Sequence, residues 1–311
     1  MSNYSHGSLQ AGKRNTSWTK IFDYVPTGST VLDIGCSTGE LGQSLKKDKD
    51  CTVYGIELDK GDYLEAKKVL DKVYDFNIEV ESIPAELTKI KFDAIIMADV
   101  IEHLVTPIPS LAKIKTLLRP GGRLIFSLPN MSHISVRLQL LSGHLIYNET
   151  GLLDKTHLHF YDFDEVKRVF GGAGFQIIDN NANMLNYPPS FLQKKLTALG
   201  LKDDGFIEVT EKDIQAQSFQ FVGYCTALAG NTKPKDVVLT TETPEKELAG
   251  YIANLAEDNQ TLTTAAKTMT QQIEELKQQL ANANKENIKL RNRSVRVLAS
   301  RAVQKLKTKR S

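Results

Sequence analysis

Residues 31–42 read VLDIGCSTGELG. An apolar run stops at Asp33, the chain turns through Gly35 and Gly39, and a helical pattern opens behind it. Glycine turns between a strand and a helix let backbone amides approach a ligand closely. A dinucleotide fingerprint wants G-x-G-x-x-G, so that those amides meet a pyrophosphate. Here an acid precedes the first glycine, where it would repel phosphate and suits a cationic amino group instead. A second acid, Glu57, closes the next apolar run in YGIELD, 18 residues past Gly39. A carboxylate in that place accepts hydrogen bonds from two ribose hydroxyls. Asp59 competes for the role, or else caps the helical stretch GDYLEAKK. A ligand with a ribose and an ammonium but no phosphate is S-adenosylmethionine (SAM).

Outward from this loop, short apolar runs alternate with helical patterns from about residue 18 to 230. Strands are expected at Thr30–Ile34, Thr52–Glu57, Phe92–Met97, Gly122–Ser127, Gln176–Asn180 and Gln220–Leu228. Helices are expected in IFDYV, LGQSLKK, GDYLEAKKVLDK, PSLAKIKTLL and DFDEVKRVFGGAG. That alternation predicts an α/β fold: a doubly wound, Rossmann-like, seven-stranded sheet with helices on both faces. Residues 129–159 fit neither period and read as a lid, because long ordered loops are disproportionately functional.

Residues 230–246 have linker composition. After them Leu248, Ile252, Leu255, Asn259, Leu262, Ala266, Met269, Ile273, Leu276, Leu280, Ala283, Asn287, Leu290, Ser294 and Val297 follow a strict 4-3 spacing, and twelve of the fifteen are apolar. With Leu248 at d, Asn259 and Asn287 fall at a, where buried Asn fixes register and favours parallel dimers. A self-associating parallel coiled coil is expected over 247–297; the alternative is a long surface helix folded back on the domain. The tail, 298–311, is basic and amphipathic on a helix, a pattern that lies on anionic membranes. A solvated end of the coiled coil or an RNA contact are the other readings.

The charge is uneven. The chain of 311 residues carries a net +2, yet residues 289–311 hold nine Lys/Arg and no acid, leaving 30 basic against 37 acidic side chains in 1–288. The body therefore has no electrostatic case for nucleic acid. Three scattered cysteines, Cys36, Cys51 and Cys225, argue against a disulfide framework and fit a reducing cytoplasm. No apolar stretch approaches the ~20 residues of a membrane span, and the N-terminus lacks a signal-peptide pattern. The expected location is cytoplasmic, with the tail peripheral on the inner face of the plasma membrane.

Five segments in this order, VLDIGCSTGELG, VYGIELD, FDAIIMADVIEHL, LLRPGGRLIFSLPN and LDKTHLHFYDFDEVKRVFGGAGF, resemble class I SAM-dependent methyltransferases over about residues 17–229. Within that class the chain resembles bacterial enzymes related to the ubiquinone-biosynthesis O-methyltransferases, many encoded with surface-polysaccharide genes. The resemblance implies that Asp33, Gly35 and Gly39, with Cys36 and Ser37 between them, cradle the methionine part. It implies Glu57 and Leu58 at the ribose, Asn77 and Ile78 beside the adenine, and Asp99 and Val100 at the end of the expected run Phe92–Met97. Most relatives carry Asp where Asn77 stands; an amide can still meet the adenine amino group.

A hydroxyl acceptor needs a base or a metal, since its own pKa lies far above 7. Asp99, Glu102 and His103 sit at i, i+3 and i+4 and can share a helical face. A similar acid-x-x-Glu-His group binds a divalent ion in some relatives, so this set is expected to hold Mg2+ or Mn2+; in others the His packs on the cofactor loop. His157 and His159 share one side of an extended LDKTHLHF. His157, together with Asp99, is the catalytic candidate, with a hydrogen-bonded structural histidine and a substrate contact as the alternatives. Acceptor contacts are expected from Asn130, Arg137, Tyr147 and His159, with His133 also in the lid.

These readings converge on O-methylation of a sugar hydroxyl of a bacterial surface glycan or its lipid-linked precursor, with glycosyltransferases as partners. Two alternatives stand beside it. One is a scaffold that uses the fold and the coiled coil to organise partners. The other is a methyltransferase for a small metabolite or a nitrogen acceptor, although the (N/D)PP(Y/F) tetrapeptide of N-methylating families is absent after Phe92–Met97, where ADVIEH stands.

Overall fold

The computed structural model describes residues 17–230, 232–240 and 277. The chain divides after Tyr251 into two units. The expected coiled coil and basic tail lie outside the described residues. The first unit is built on strands β1 (Thr30–Ile34), β2 (Thr52–Ile56), β3 (Lys72–Tyr74), β4 (Phe92–Ala98), β5 (Leu118–Pro129), β6 (Phe175–Asn180), β7 (Asn183–Met184) and β8 (Ser218–Ala227). Its helices are α1 (Ser17–Tyr24), α2 (Glu40–Lys49), α3 (Lys60–Val69), α4 (Ala85–Thr88), α5 (Pro107–Lys115), α6 (Ile134–Leu141), α7 (Phe163–Gly172), α8 (Pro189–Ala198), α9 (Phe206–Lys212) and α10 (Ile214–Gln217).

The strand order is β3-β2-β1-β4-β5-β8-β6, with β7 pairing to β8. The chain winds outward from β1 to β3, returns, and restarts at β4 on the other side of β1. That reversal is a topological switch point, and a crevice opens there outside the carboxyl ends of β1 and β4. Strand β8 runs antiparallel between β5 and β6, which carries its first residues to the same carboxyl edge.

Both faces of the sheet are buried, as a doubly wound fold requires. In β1 and β4, Leu32, Ile34, Ile95 and Met97 join Leu111 and Ile114 of α5 and Val166, Val169 and Phe170 of α7. The alternating residues Val31, Ala94 and Ile96 join Ile21 and Phe22 of α1, Leu41 and Leu45 of α2 and Ala66 of α3. Helix α7 is the clearest case of pattern dictating structure. Asp162 caps it by accepting from the Glu165 amide, and Phe163, Val166, Val169 and Phe170 form its buried stripe.

Three departures from the sequence reading have local causes. Strand β3 has only three residues and interrupts what reads as one helix through Lys72, because Leu70 leaves the helix in an extended conformation. Part of the expected lid is ordered as α6, capped by His133. Residues 232–240, expected within a linker, run beside β6 with their side chains alternating: Leu239 is buried in the main core while Val238 is 77% exposed. Asn180 grips both the Val238 carbonyl, at 3.0 Å, and the Thr240 amide, at 2.9 Å. Among the described residues no helix is long and apolar enough to cross a membrane.

Candidate active site

The turn after β1 is held by its own backbone. The Gly35 and Cys36 amides both donate to the Ile56 carbonyl, at 2.8 and 3.2 Å, tying the loop to the end of β2. Gly35 has φ +73°, and a Cβ there would stand 2.7 Å from the Val100 side chain. Gly39, at φ +84°, starts α2, and a Cβ would meet Val69 at 2.8 Å. Both positions combine left-handed backbone with a close approach, which only glycine accommodates. The Cys36 thiol packs against Gly55 as small filler, and burial raises its pKa far above the ordinary range.

Asp33 ends buried on this loop, 3% exposed. Burial and then the neighbouring Glu57 push its pKa to about 7. No hydrogen bond reaches its carboxylate from the described residues, so the fold leaves a costly buried acid uncompensated. Glu57 reaches back to the loop. Its Oε2 accepts from the Ser37 amide at 2.8 Å, and its Oε1 accepts from the Leu58 and Asp59 amides at 2.8 Å each. Asp59 itself caps α3 through the Gly61 and Asp62 amides. Leu58 is 52% exposed beside it. Asn77 Oδ1 accepts from the Glu79 amide, while the Ile78 side chain faces the core and its carbonyl takes the Lys113 ammonium.

A second cluster forms beyond β4. Glu102 lies on a short turn of 3-10 helix, Ile101–His103, fully buried, and neither carboxylate oxygen has a hydrogen-bond partner. Burial raises its pKa well above the carboxylate range. His103 and His157 face it, and ligating atoms of all three lie within 4.8 Å of one another. The two rings meet edge to face at 4.9 Å. His157 Nδ1 lies 3.1 Å from the Leu152 carbonyl and His103 Nδ1 3.1 Å from the Thr156 carbonyl. Both Nδ1 atoms are therefore donors, leaving each Nε2 with a lone pair. That is how metal-bound histidines are usually oriented. The His157 side chain is 7% exposed, its Nε2 is 3.9 Å from Glu102 Oε1, and burial followed by the neighbouring His103 lowers its pKa. The Tyr161 hydroxyl, also buried without a partner, borders the cluster; burial and Glu102 raise its pKa.

The structure thus brings Glu102 and His103 together as expected but replaces Asp99 with His157 as the third member. Asp99 Oδ1 instead accepts from the Ser127 hydroxyl at 2.9 Å and the Gln220 amide at 2.5 Å. Among the expected acceptor contacts, Asn130 is corrected. Asn130 is fully buried: its amide donates to the Gln215 and Ser218 carbonyls, at 2.7 and 2.6 Å, and its Oδ1 accepts from the Ser132 amide. It holds the edge of the sheet to the segment before β8. Arg137 donates to the Ser132 carbonyl and pairs with Asp213 at 2.6 Å. His159 Nε2 lies 3.3 Å from the Val105 carbonyl. His133 is fully buried, bridging Ser135 and the Leu185 carbonyl. Tyr147 is half exposed on the lid. Ser127 and Gln220 escaped the sequence reading; the signal for each is a polar residue flanked by apolar ones, IFSLP and FQFV.

A methyltransferase-domain family model matches residues 12–180, more than half of the chain. The chain belongs to this family, and its enzyme class is SAM-dependent methyl transfer. It is 25% identical over 173 residues to a ubiquinone biosynthesis O-methyltransferase of Aeromonas salmonicida, covering 54% of this chain and 71% of that one. It is 30% identical over 161 residues to one of Xanthomonas axonopodis, covering 50% and 65%. The matched stretch spans about two thirds of these relatives. Among solved structures it is similar to a SAM-dependent methyltransferase of Thermotoga maritima, 19% identical, covering 68% of this chain and 87% of that one, with a TM-score of 0.46.

Proposed function

We propose that this enzyme transfers the methyl group of SAM to a hydroxyl oxygen, with cofactor and acceptor meeting between the Asp33 loop and the Glu102 cluster. The observation that carries the reading is Glu102, a buried carboxylate with both oxygens unpartnered beside two imidazoles whose free nitrogens face it. Asp33 pairs with the cofactor's ammonium, which compensates its burial. Glu57 Oε2 keeps one lone pair for a ribose hydroxyl. Gly35, Cys36, Ser37 and Gly39 line the methionine part with backbone; Leu58, Asn77 and Ile78 flank ribose and adenine; Val100 packs over Gly35.

At the acceptor end, Glu102, His103 and His157 are the residues that fit a divalent ion. Two imidazoles and one carboxylate suit Mn2+ better than Mg2+, which prefers oxygen donors alone. When bound, such an ion lowers the pKa of an acceptor hydroxyl by Lewis-acid polarisation. Without it, His157 Nε2, held neutral by burial, accepts the hydroxyl proton as general base. Methyl transfer then follows as an in-line displacement: the acceptor oxygen forms a bond to the methyl carbon as the carbon–sulfur bond breaks, leaving S-adenosylhomocysteine (SAH).

The acceptor belongs, in this reading, to a bacterial surface glycan or its lipid-linked precursor, made beside glycosyltransferases on the inner membrane face. The resemblance supports that substrate class. The coiled coil would dimerise the enzyme and the basic tail would hold it to anionic lipid.

The decisive assay is methyl transfer from SAM by the full chain to a panel of sugars, glycan fractions and quinol precursors, with and without EDTA. Methylation of a glycan fraction supports the reading, and loss with EDTA restored by Mn2+ assigns Glu102, His103 and His157 as ligands. Methylation of a quinol precursor alone overturns the glycan assignment. Binding partners without any turnover favours the scaffold.

A further inference from the structure

The carboxyl edge of the sheet carries a polar chain that neither the glycine loop nor the Glu102 cluster uses. Asp99 follows β4 with φ +53°, left-handed backbone that a residue with a Cβ seldom adopts without a constraint. Its amide donates to the Ser127 carbonyl at 3.2 Å. Its Oδ1 takes both side-chain donors, the Ser127 hydroxyl from β5 at 2.9 Å and the Gln220 amide from β8 at 2.5 Å. Gln220 is steadied in turn by the Asn183 amide of β7, at 3.3 Å from its Oε1. Donors from two strands, β5 and β8, one of them 121 residues away in sequence, converge on one carboxylate oxygen, and β7 supports the second donor.

The consequence lies in what this leaves open. Both donors are neutral, and among the described residues no ion pair is made to Asp99. Oδ2 accepts no hydrogen bond there, and Asp99 is exposed to the crevice. Asp33 already supplies an acid for the ammonium, from β1. Asp99 stands one strand over, three residues before Glu102, between the ammonium's partner and the acceptor cluster. The part of SAM that must lie between those two ends is the sulfonium, because its methyl is what the acceptor receives.

We propose that Gln220 is a positioning residue: with Ser127 it holds Asp99 so that Oδ2 presents its charge to the sulfonium of bound SAM. The proposal rests on the cofactor site assigned above. Two fixed donors on Oδ1 stop the carboxylate from rotating and from closing onto the imidazoles of His103 and His157. Gln220, on the antiparallel strand, thereby ties cofactor recognition to the part of the sheet that also carries β7.

Calorimetric binding of SAM and SAH tests this, since SAH keeps the ammonium, ribose and adenine and lacks only the methyl and its charge. Gln220→Met and Ser127→Ala should each weaken SAM about tenfold, the worth of one hydrogen bond to a charged group. SAH should weaken less than about twofold. In an Asp99→Asn background, Gln220→Met should add nothing, because its effect passes through that carboxylate. Equal loss of SAM and SAH, no loss of either, or losses that multiply in the double variant would overturn the proposal. Should Gln220→Met fail to fold, Ser127→Ala and its cycle with Asp99→Asn carry the same test. Wild-type protein that bound neither ligand would overturn the cofactor site and this inference with it. Wild type that binds both, with Gln220→Met indistinguishable, overturns this inference alone.

Discussion

At the cofactor end of the crevice, the joints are short in sequence: Ser37 meets Glu57 across 20 residues and Asp62 across 25. At the acceptor end they are long: His103 meets the Thr156 carbonyl across 53 residues and Asn130 meets Gln215 across 85. The first region is one βαβ unit, in which a turn and the end of the next strand are brought together by the winding of the sheet alone. The second depends on how the lid and the segment before β8 fold back. A side chain of the first region has its role set by its place in the motif. One of the second acquires its role only when the tertiary fold supplies neighbours.

If that division is functional, substitutions at the two ends should separate binding from turnover. The largest effect is expected at Glu102. Glu102→Gln keeps the volume and replaces an ionisable, ligand-capable oxygen by an amide, so turnover should fall at least a hundredfold, the scale of losing acid–base or metal-assisted chemistry. The SAM dissociation constant should stay within about twofold. Isothermal titration and steady-state kinetics on the same preparation check both; a matching loss of SAM affinity would merge the two ends into one site.

Asp33→Asn should weaken SAM by roughly a hundredfold, because it removes one partner of a buried charge pair. The same change relieves an acid whose pKa is held at about 7 without ligand. The free protein should therefore gain about 2 kcal/mol, the roughly 4 kcal/mol relief less the cost of burying an unpartnered amide, near 4–8 °C in melting temperature for a domain of this size. Tighter binding with lower stability would contradict the assignment on both counts. Glu57→Ala comes next, at about thirtyfold in SAM affinity for the loss of hydrogen bonds to a charged acceptor. Unchanged affinity in this variant would place the ribose elsewhere.

Asn130→Ala sharpens the acceptor side. The side chain satisfies two carbonyls and one amide in a fully buried place. Its removal should cost about 2–3 kcal/mol in denaturant unfolding, with the acceptor KM of the folded enzyme unchanged.

The same division explains what the sequence disclosed. The order β1-loop-α2-β2 was readable because its determinants are local: an acid at a strand end, glycines where φ is positive, Asp59 on the next helix start. Strand β3 was hidden because three residues carry no period, and α9 and α10 because helices of seven and four residues are too short to show one. Asn130 reads as ligand-facing because polar residues at strand ends usually are, and His159 because it shares a side of an extended segment with His157. Their partners, Gln215, Ser218 and Val105, are set by chain return, which no window around either residue contains. Asp99 was grouped with Glu102 and His103 by helical spacing, but the left-handed backbone at Asp99 removes it from that face. His157 entered in its place from 55 positions away.

The pH dependence of cofactor binding is the effect most specific to the cofactor end. Without ligand Asp33 has a pKa near 7, raised by burial and then by Glu57. A cation binds the ionised form, so binding expels a proton whenever the pH is below that value. SAM affinity should fall toward tenfold per unit as pH drops below about 7 and flatten above it. Stability of the free protein should run the opposite way. A raised carboxyl pKa means the folded state holds a proton that the unfolded chain has lost. Stability therefore declines as pH climbs from about 4 to about 7, by roughly 4 kcal/mol at most, and is then level. In Asp33→Asn both slopes should vanish while Glu57→Ala, which removes only the second cause, should keep them with the midpoint moved to lower pH. A slope that survives in Asp33→Asn would assign the titration to another group, and with it the ammonium.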